Sequence, residues 1–336
     1  MIQIKPTSNK VPLEKKNTRR SPKGVPCDAV IFDIDNVLID TRRSYLEAIR
    51  LTIDIFLTEG KIPQFSRSPK EGKSTLLSEE DVHQFKLLGG FNDDWDCCYG
   101  ILVYLLSLRV KKRTMQDLQK AINIKDFAAR VKKRPLGVAN ITKILKHPPA
   151  LTIEKIGRIF QEIYLGRSLF RAVEAKSPFY WKKKGLIERE RLIFKRRVLE
   201  KFTSLGIRLG IATGRPRFEA LFALKQFEIA DLFQAITTMD DVKMAEKEAK
   251  QSLRKPHPFS VLETAKKLGV EKSFLYVGDL PDDILAANEA KSSIRIHSVA
   301  FPTYGACVVS SVEEIQKAHP DFMIRSPGEL IKLVRN

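Results

Sequence analysis

The 336-residue sequence predicts an α/β fold in which a parallel sheet is interrupted, after its first strand, by a long helical segment. Three observations predict it. From residue 205 onward, apolar runs at 208–212, 235–238, 274–277 and 296–300 alternate with helical patterns, which implies right-handed βαβ units and a parallel sheet. An apolar run of the same character at 29–32 stands alone, followed by residues 42–190, where nothing reads convincingly as sheet. Finally, three of these runs lead directly into short motifs carrying Asp or Thr, at the carboxyl ends of strands where open α/β sheets gather their ligands. The division that follows is a tail at 1–27, a sheet core at 28–41 plus 191–336, and a helical unit at 42–190.

Residues 1–26 mix Lys, Arg, Pro, Ser and Asn without an apolar period and read as a disordered tail. After the first strand, Tyr45, Ala48, Ile49, Ile53 and Phe56 recur at helical spacing over residues 44–58, with Gly60 as the stop. A Pro-, Ser- and Lys-containing loop runs to Leu77. Ser78 then precedes Glu79, Glu80 and Asp81, an N-cap with acids in the first turn of a helix that ends at Gly89 and Gly90. Helical patterns follow at 94–108, 114–122, 137–145 and 152–164, with Pro135 and His147, Pro148 and Pro149 as breaks. Another at 187–205 leads into the strand at 208–212. Helices at 217–227, 259–268 and 283–290 separate the later strands.

Hydrophobic residues make up 43% of the chain and charged residues 29%, as in an ordinary soluble globular protein, and the length suits two domains. The most apolar stretch, 99–108, falls far short of the roughly 20 residues that span a bilayer. With no apolar core for a secretory leader, a cytoplasmic protein without membrane attachment is expected. Cys27, Cys97, Cys98 and Cys307 lack metal-ligand spacing, and adjacent Cys97 and Cys98 read as helix residues. The net charge of +19 is unevenly placed: +6 in residues 1–27, +12 in 42–190 and +1 in the sheet core. A basic surface suits anionic partners, either phosphorylated small molecules or nucleic acid. Scattered lysines also serve simply as a solvated face.

Residues 30–40, VIFDIDNVLID, organise the chemistry. Asp33 and Asp35 lie one residue apart, and positions i and i+2 of an extended chain point to the same side. Residues 209–216, LGIATGRP, end a strand in Thr213 and Gly214. Arg254, Lys255 and Pro256 place a lysine just before a proline. Residues 274–283, FLYVGDLPDD, end a strand in Gly278 and Asp279, with Asp282 and Asp283 following. This ordered series of D-x-D, T-G, K-P and G-D-x-x-x-D resembles the haloacid dehalogenase superfamily of phosphoryl-transfer enzymes. A helical insertion after the first motif resembles its subfamily IA, the phosphoglycolate phosphatase-like branch, in which a helical cap closes over a Rossmann-like core. The match covers residues 28–41 and 205–300. Residues 89–95, GGFNDDW, and 213–227 resemble a poorly characterised branch of that subfamily.

A phosphate monoester is anionic, so a carboxylate nucleophile needs its repulsion cancelled. The resemblance implies that Asp33 attacks phosphorus in line and becomes an aspartyl-phosphate. It implies Mg²⁺, a hard cation, with Asp33, the backbone carbonyl of Asp35 and Asp279 as ligands and Asp283 supporting the metal shell. Asp282 adjoins Asp283, and the sequence does not divide the roles of the two. Thr213 would donate its hydroxyl to a phosphoryl oxygen beside the N–H at Gly214, and Lys255 would set a positive charge next to Asp33 and the phosphate. Lys255 and the ion are expected to lower the Asp33 pKa. Asp35 would protonate the leaving alkoxide and then activate water. Dehalogenases of the superfamily lack this second aspartate, so its presence points to phosphate chemistry.

Two positions depart from the family pattern. Asn36 stands where glycine is usual. Asn tolerates left-handed backbone, and the position is grouped with Thr213, Gly214, Arg215 and Lys255 as phosphate-binding. Ala290 and Lys291 replace the usual Ala-Gly after the last core helix, which leaves that turn's geometry open.

Other residues have two readings. Asn92 and Trp95 either enter the site or start and pack a helix. Arg215 either touches substrate or pairs at the surface, and Arg42 and Arg43 either face a substrate anion or solvent. His257 reads as a loop residue and Lys182, Lys183 and Lys184 as solvated. The expected activity is a Mg²⁺-dependent phosphatase acting on a small phosphorylated metabolite, with the cap excluding water. One alternative is a phosphomutase of the β-phosphoglucomutase kind. The other is a scaffold whose basic surfaces bind nucleic acid or another anion, although a pure scaffold need not keep Asp35 and Lys255.

Overall fold

The computed structural model describes residues 24–59, 65, 76–86, 88–91, 93–131, 136–146, 151–269, 273–302 and 309–334. The expected disordered tail, Asn92, Cys307 and the proline breaks at 135 and 147–149 lie largely or wholly outside those residues. The strands are β1 (Ala29–Phe32), β2 (Ile39–Asp40), β3 (Arg191–Leu192), β4 (Arg208–Ala212), β5 (Ala235–Thr237), β6 (Phe274–Gly278), β7 (Ile296–Ala300) and β8 (Phe322–Met323). Six of them form a sheet in the order β5-β4-β1-β6-β7-β8, every pair parallel. β2 and β3 pair antiparallel in a separate two-stranded ribbon.

β1 is flanked on both edges and covered on both faces, so all four of its residues are apolar and fully buried. Val30 and Phe32 pack on one face with Leu199, Phe202, Leu209 and Ile211; Ala29 and Ile31 pack on the other with Val261, Leu268 and Ala286. That split follows the two-residue period of a strand. From β1 the chain builds outward through β4 and β5 on one side, then through β6, β7 and β8 on the other. β1 therefore stands at the reversal of strand order, where the crevice for a ligand opens.

Among the described residues of 42–190 the elements are helical up to residue 174: one turn of π-helix at Arg42–Leu46, then α1 (Glu47–Glu59), α2 (Glu79–Lys86), α3 (Asp94–Ser107), α4 (Met115–Ala121), α5 (Ile124–Arg130), α6 (Gly137–Ile144) and α7 (Ile153–Glu174). Their apolar faces share one core running from Leu46 to Ile187, with Phe222 packed against it. Cys97 and Cys98 are buried on α3. The pattern that predicts a helix to residue 164 continues to Glu174 across a break at Gly166, whose φ is +70°. A Cβ there would fall 2.1 Å from the backbone nitrogen of Gly185, so this chain crossing requires glycine.

The helix expected over 187–205 is divided. A 3₁₀ turn (Leu186–Arg189) and β3 precede α8 (Arg196–Ser204), because Arg191 and Leu192 pair with Asp40 and Ile39 and draw that stretch out straight. Then follow α9 (Arg217–Gln226), α10 (Met239–Ala249), α11 (Phe259–Leu268), α12 (Pro281–Ala290), α13 (Val309–Lys317) and α14 (Pro327–Val334). Lys291 keeps right-handed backbone, with its N–H on Asn288 and Glu289 carbonyls, so the turn after α12 closes without a left-handed residue. Among the described residues, no helix is long and apolar enough to cross a membrane.

Candidate active site

Asp33 follows β1 directly, and its N–H donates to the Val277 carbonyl at 2.9 Å, so sheet register fixes its place. The chain then folds back, with the N–H groups of Val37, Leu38 and Ile39 all donating to the Ile34 carbonyl. Asn36 sits in this turn at φ +54°, the left-handed geometry that glycine would supply. Its Oδ1 accepts from Thr41 Oγ1 at 3.1 Å, and its side chain also bonds Asp279. The Asn36 side chain thereby ties the turn to Asp279.

Lys255, in the segment before α11, brings three motifs together. Its ammonium donates to Asp33 Oδ1 at 3.1 Å, Asp283 Oδ1 at 2.8 Å and the Ala212 carbonyl at 3.0 Å, which accounts for all three protons. Of the adjacent pair on α12, Asp283 is the one that faces Lys255. Tyr276 Oη donates to its Oδ1 at 2.9 Å, and the N–H groups of Asp279 and Leu280 donate to its Oδ2 at 3.2 and 3.1 Å. Gly278 makes room for it, since a Cβ there would lie 2.2 Å from Asp283 Cβ. Thr213 is buried at the end of β4, where its Oγ1 accepts from the Arg215 N–H at 3.2 Å. Gly214 beside it is exposed, and a Cβ would meet only Met239 at 3.9 Å, so packing alone does not demand glycine.

Carboxylate oxygens of Asp33, Asp279 and Asp283 lie within 4.8 Å of one another, all three residues buried, against the one ammonium of Lys255. Burial, reinforced by Asp283 and Asp35, pushes Asp33 up to about 7 against the pull of Lys255. Asp279 is pushed well above its ordinary range by burial and by the same carboxylates together with Asp33. The expected lowering by Lys255 is thus real but outweighed among the protein's own groups. Excess buried negative charge on oxygen donors fits a hard divalent cation. Asp283 already accepts from four donors, whereas Asp33 and Asp279 keep lone pairs for such an ion. The Asp35 carboxylate lies outside this cluster.

Residues 27–291 match the family model of the haloacid dehalogenase-like hydrolases. The chain belongs to that family. Pyrophosphatase PpaX of Bacillus pumilus is 32% identical to this haloacid dehalogenase-like hydrolase over 130 residues, 38% of this chain and 52% of that one. An imidazoleglycerol-phosphate dehydratase of Phytophthora nicotianae is 23% identical over 319 residues, 92% of this chain and 53% of that one. The chain spans about half the length of the curated relatives it matches. A phosphatase of known structure from Thermococcus thioreducens shares the fold, with a TM-score of 0.52 and 22% identity, over 85% of this chain and 97% of that one.

A second buried cluster of the hydrolase adjoins the first. The Arg215 side chain is fully buried. Its Nε donates to Asp35 Oδ1 at 2.7 Å, and Nη1 and Nη2 donate to Glu190 Oε2 and Oε1 at 3.0 and 3.1 Å. Glu190 also accepts from Ser44 Oγ at 2.8 Å and Tyr164 Oη at 3.1 Å. Next to it, Glu219 accepts from Tyr45 Oη at 2.9 Å and Gln161 Nε2 at 3.3 Å, and Tyr45 stacks on Tyr164 with centroids 4.4 Å apart. Arg215 is therefore buried rather than at the surface, with its guanidinium turned to Asp35 and Glu190. Tyr276, Glu190 and Glu219 went unnoticed in the sequence.

Asp93 caps α3 by accepting from the Trp95 and Asp96 N–H groups, and the Trp95 ring packs on Gly157 of α7. Arg42 pairs with Asp40 at 2.7 Å, and Arg42 and Arg43 line a cavity of about 640 Å³ together with Glu47, Glu79 and Glu188. His257 Nδ1 accepts from the Phe259 N–H within its loop, and Lys182, Lys183 and Lys184 are exposed.

Glu219 gives a stability test. Burial pushes its carboxyl up to about 7 despite Arg215 and its hydrogen bonds from Tyr45 and Gln161. A raised carboxyl pKa contributes stability that is fully present below about 4.5 and lost as pH rises through about 7. Glu219→Gln should therefore stabilise the protein at pH 8 by an amount on the order of 2 kcal/mol and change little at pH 5. Thermal melts at the two pH values check this; equal shifts at both would refute it.

Proposed function

We propose that this hydrolase is a Mg²⁺-dependent phosphatase that releases phosphate from a small phosphorylated metabolite through an aspartyl-phosphate at Asp33. One observation carries the reading: at the carboxyl end of β1, buried Asp33 meets Lys255 at 3.1 Å while Asp35, two residues on, is held by a separate partner, Arg215. A nucleophile and an acid/base thus share one turn without competing for the same contacts. Asp33, Asp279 and the Asp35 carbonyl would hold Mg²⁺, with Asp283 fixing Asp279 and Lys255 around them. The ion when bound supplies charge neutralisation and orients a phosphoryl oxygen.

An Asp33 oxygen attacks phosphorus as the ester P–O bond breaks, and Asp35 gives its proton to the departing alkoxide. Asp35 then takes a proton from water as that water attacks the aspartyl-phosphate, freeing inorganic phosphate and restoring Asp33. Lys255 and the Thr213 hydroxyl offset the charge that gathers on the phosphoryl oxygens. In this reading residues 42–190 form the cap that excludes bulk water, and their net charge of +12 suits an anionic substrate.

Phosphate release from phosphoglycolate, pyrophosphate, sugar phosphates and imidazole-bearing phosphate esters tests the reading. Turnover should need Mg²⁺, stop with chelator, and fall about 10²- to 10⁴-fold in Asp35→Asn. A folded, Mg²⁺-binding protein that releases phosphate from none of them sinks the proposal. Transfer to a sugar phosphate faster than to water would replace hydrolase with mutase.

A further inference from the structure

We infer that Arg215 is a positioning residue for Asp35, and that Glu190 clamps it in place from the junction with the helical segment. The inference rests on the proposed acid/base role of Asp35. Arg215 reaches Asp35 Oδ1 through both Nε and Nη2, at 2.7 and 2.6 Å, and among the described residues no group bonds Oδ2. Fixing one oxygen of a carboxylate and leaving the other open is the arrangement an acid/base needs: the open oxygen has a single aim. The Asp35 side chain keeps 31% of its surface exposed, while the Arg215 and Glu190 side chains keep none. A guanidinium so enclosed has no solvent role, and its planar fork allows little freedom once Glu190 holds the other edge.

Glu190 is itself over-determined. Its Oε1 accepts from Ser44 Oγ, Tyr164 Oη and Arg215 Nη2, and its Oε2 from Arg215 Nη1. Ser44 lies in the π-helical turn that opens the helical segment, Tyr164 on α7, and Glu190 one residue before β3. The aim of Asp35 is thereby set by where the helical segment sits. Lys255, itself anchored on Asp283, holds Asp33, so the nucleophile does not depend on this relay.

That separation predicts which step suffers. An alkyl phosphate needs Asp35 twice: to protonate the alkoxide as the P–O bond breaks, and to take the water proton as the aspartyl-phosphate is cleaved. p-Nitrophenyl phosphate loses a stable phenolate and needs Asp35 only for the second step. The double variant Arg215→Met/Glu190→Gln removes both fully buried charges while keeping an acceptor for Ser44 and Tyr164, so the one carboxylate left without its partner is Asp35, which is 31% exposed.

With Mg²⁺ present, this variant should lose about 10²-fold in kcat on an alkyl phosphate with KM within about threefold. On p-nitrophenyl phosphate it should give a burst of p-nitrophenolate close to one per enzyme and then slow turnover. Adding Arg215→Met/Glu190→Gln to Asp35→Asn should cost less than about threefold more. Equal losses on both substrates without a burst, a change in KM alone, or full additivity with Asp35→Asn would each overturn the inference. Wild-type protein with no turnover on either substrate would instead overturn the phosphatase reading, and this inference with it. Should the double variant not melt cooperatively, Arg215→Lys carries the same test, because it keeps the charge and loses the fork; the burst is again expected, with a smaller fall in kcat.

Discussion

Asp33→Asn should abolish phosphate release, by about 10⁴-fold or more, and should make the metal-free protein more stable at pH 8. Loss of turnover follows from loss of the attacking oxygen; an amide does not form the acyl-phosphate. The gain in stability follows from the charge count at the site. Three buried carboxylates surround a single ammonium, and burial with its neighbours pushes Asp33 up to about 7. Since a raised carboxyl pKa favours the folded state below about 3.8 and loses that benefit as pH rises through about 7, the neutral amide should help at pH 8 and not at pH 4. Lys255 keeps Asp283 at 2.8 Å as its partner in the variant. Added Mg²⁺ should raise the melting temperature less in the variant than in wild type. Turnover within tenfold of wild type would remove Asp33 as the nucleophile, and a lower melting temperature at pH 8 would overturn the charge argument.

Lys255→Met should have the largest effect on stability, a loss of roughly 3–5 kcal/mol, because removing one partner of a buried ion pair leaves the others uncompensated. The ammonium is opposed first by burial, which disfavours its charge, but Asp283 and Asp33 more than reverse this and hold its pKa well above the ordinary lysine value. A raised lysine pKa gives stability that is fully present below about 10.5, so the loss should appear across the whole neutral range. Turnover should fall about 10³-fold, the scale of losing one electrostatic stabiliser of the transition state. Mg²⁺ should restore more stability to this variant than to wild type while leaving turnover low. Thermal melts with and without Mg²⁺ read both effects. A variant that melts with wild type would show the lysine to be dispensable to the fold.

The parts of the structure that could be read from sequence are those whose signals are local. β1, β4 and β7 fall where their apolar runs are, because strands buried on both faces are mostly apolar, with Arg208, His297 and Ser298 as the polar members. Asp33, Thr213 and Asp279 directly follow strands, and one carboxyl edge of the sheet gathers them; Lys255 reaches that edge from the segment before α11. Glu190 and Glu219 carried no such mark. A glutamate shows nothing of its burial in sequence, and Ser44, which bonds Glu190, is 146 residues away. Arg215 stands two residues after Thr213 in sequence, but its partners Asp35 and Glu190 lie 180 and 25 residues away, and only the fold brings them to it. α10 escaped notice because Val242 is its one fully buried residue, leaving too little apolar period to detect. β2, β3 and β8 are two residues each, too short for any period to declare itself.

The ribbon of β2 and β3 has a consequence for how this chain tolerates change. Ile39 pairs with Leu192 and Asp40 with Arg191, so the chain leaves the sheet core and returns to it at one spot. Whatever lies between is a loop whose ends are already pinned, and the entropy of closing it grows only with the logarithm of its length. Helices can be lengthened, shortened or exchanged within that loop without moving β1 or β4, provided the two strands still meet, a carboxylate still stands before Arg191, and hydroxyls still reach it from the positions of Ser44 and Tyr164. The inserted helices thus behave as a replaceable cassette on a fixed chemical base, free to diverge in the shape they present while the aspartates beneath them stay where the sheet holds them.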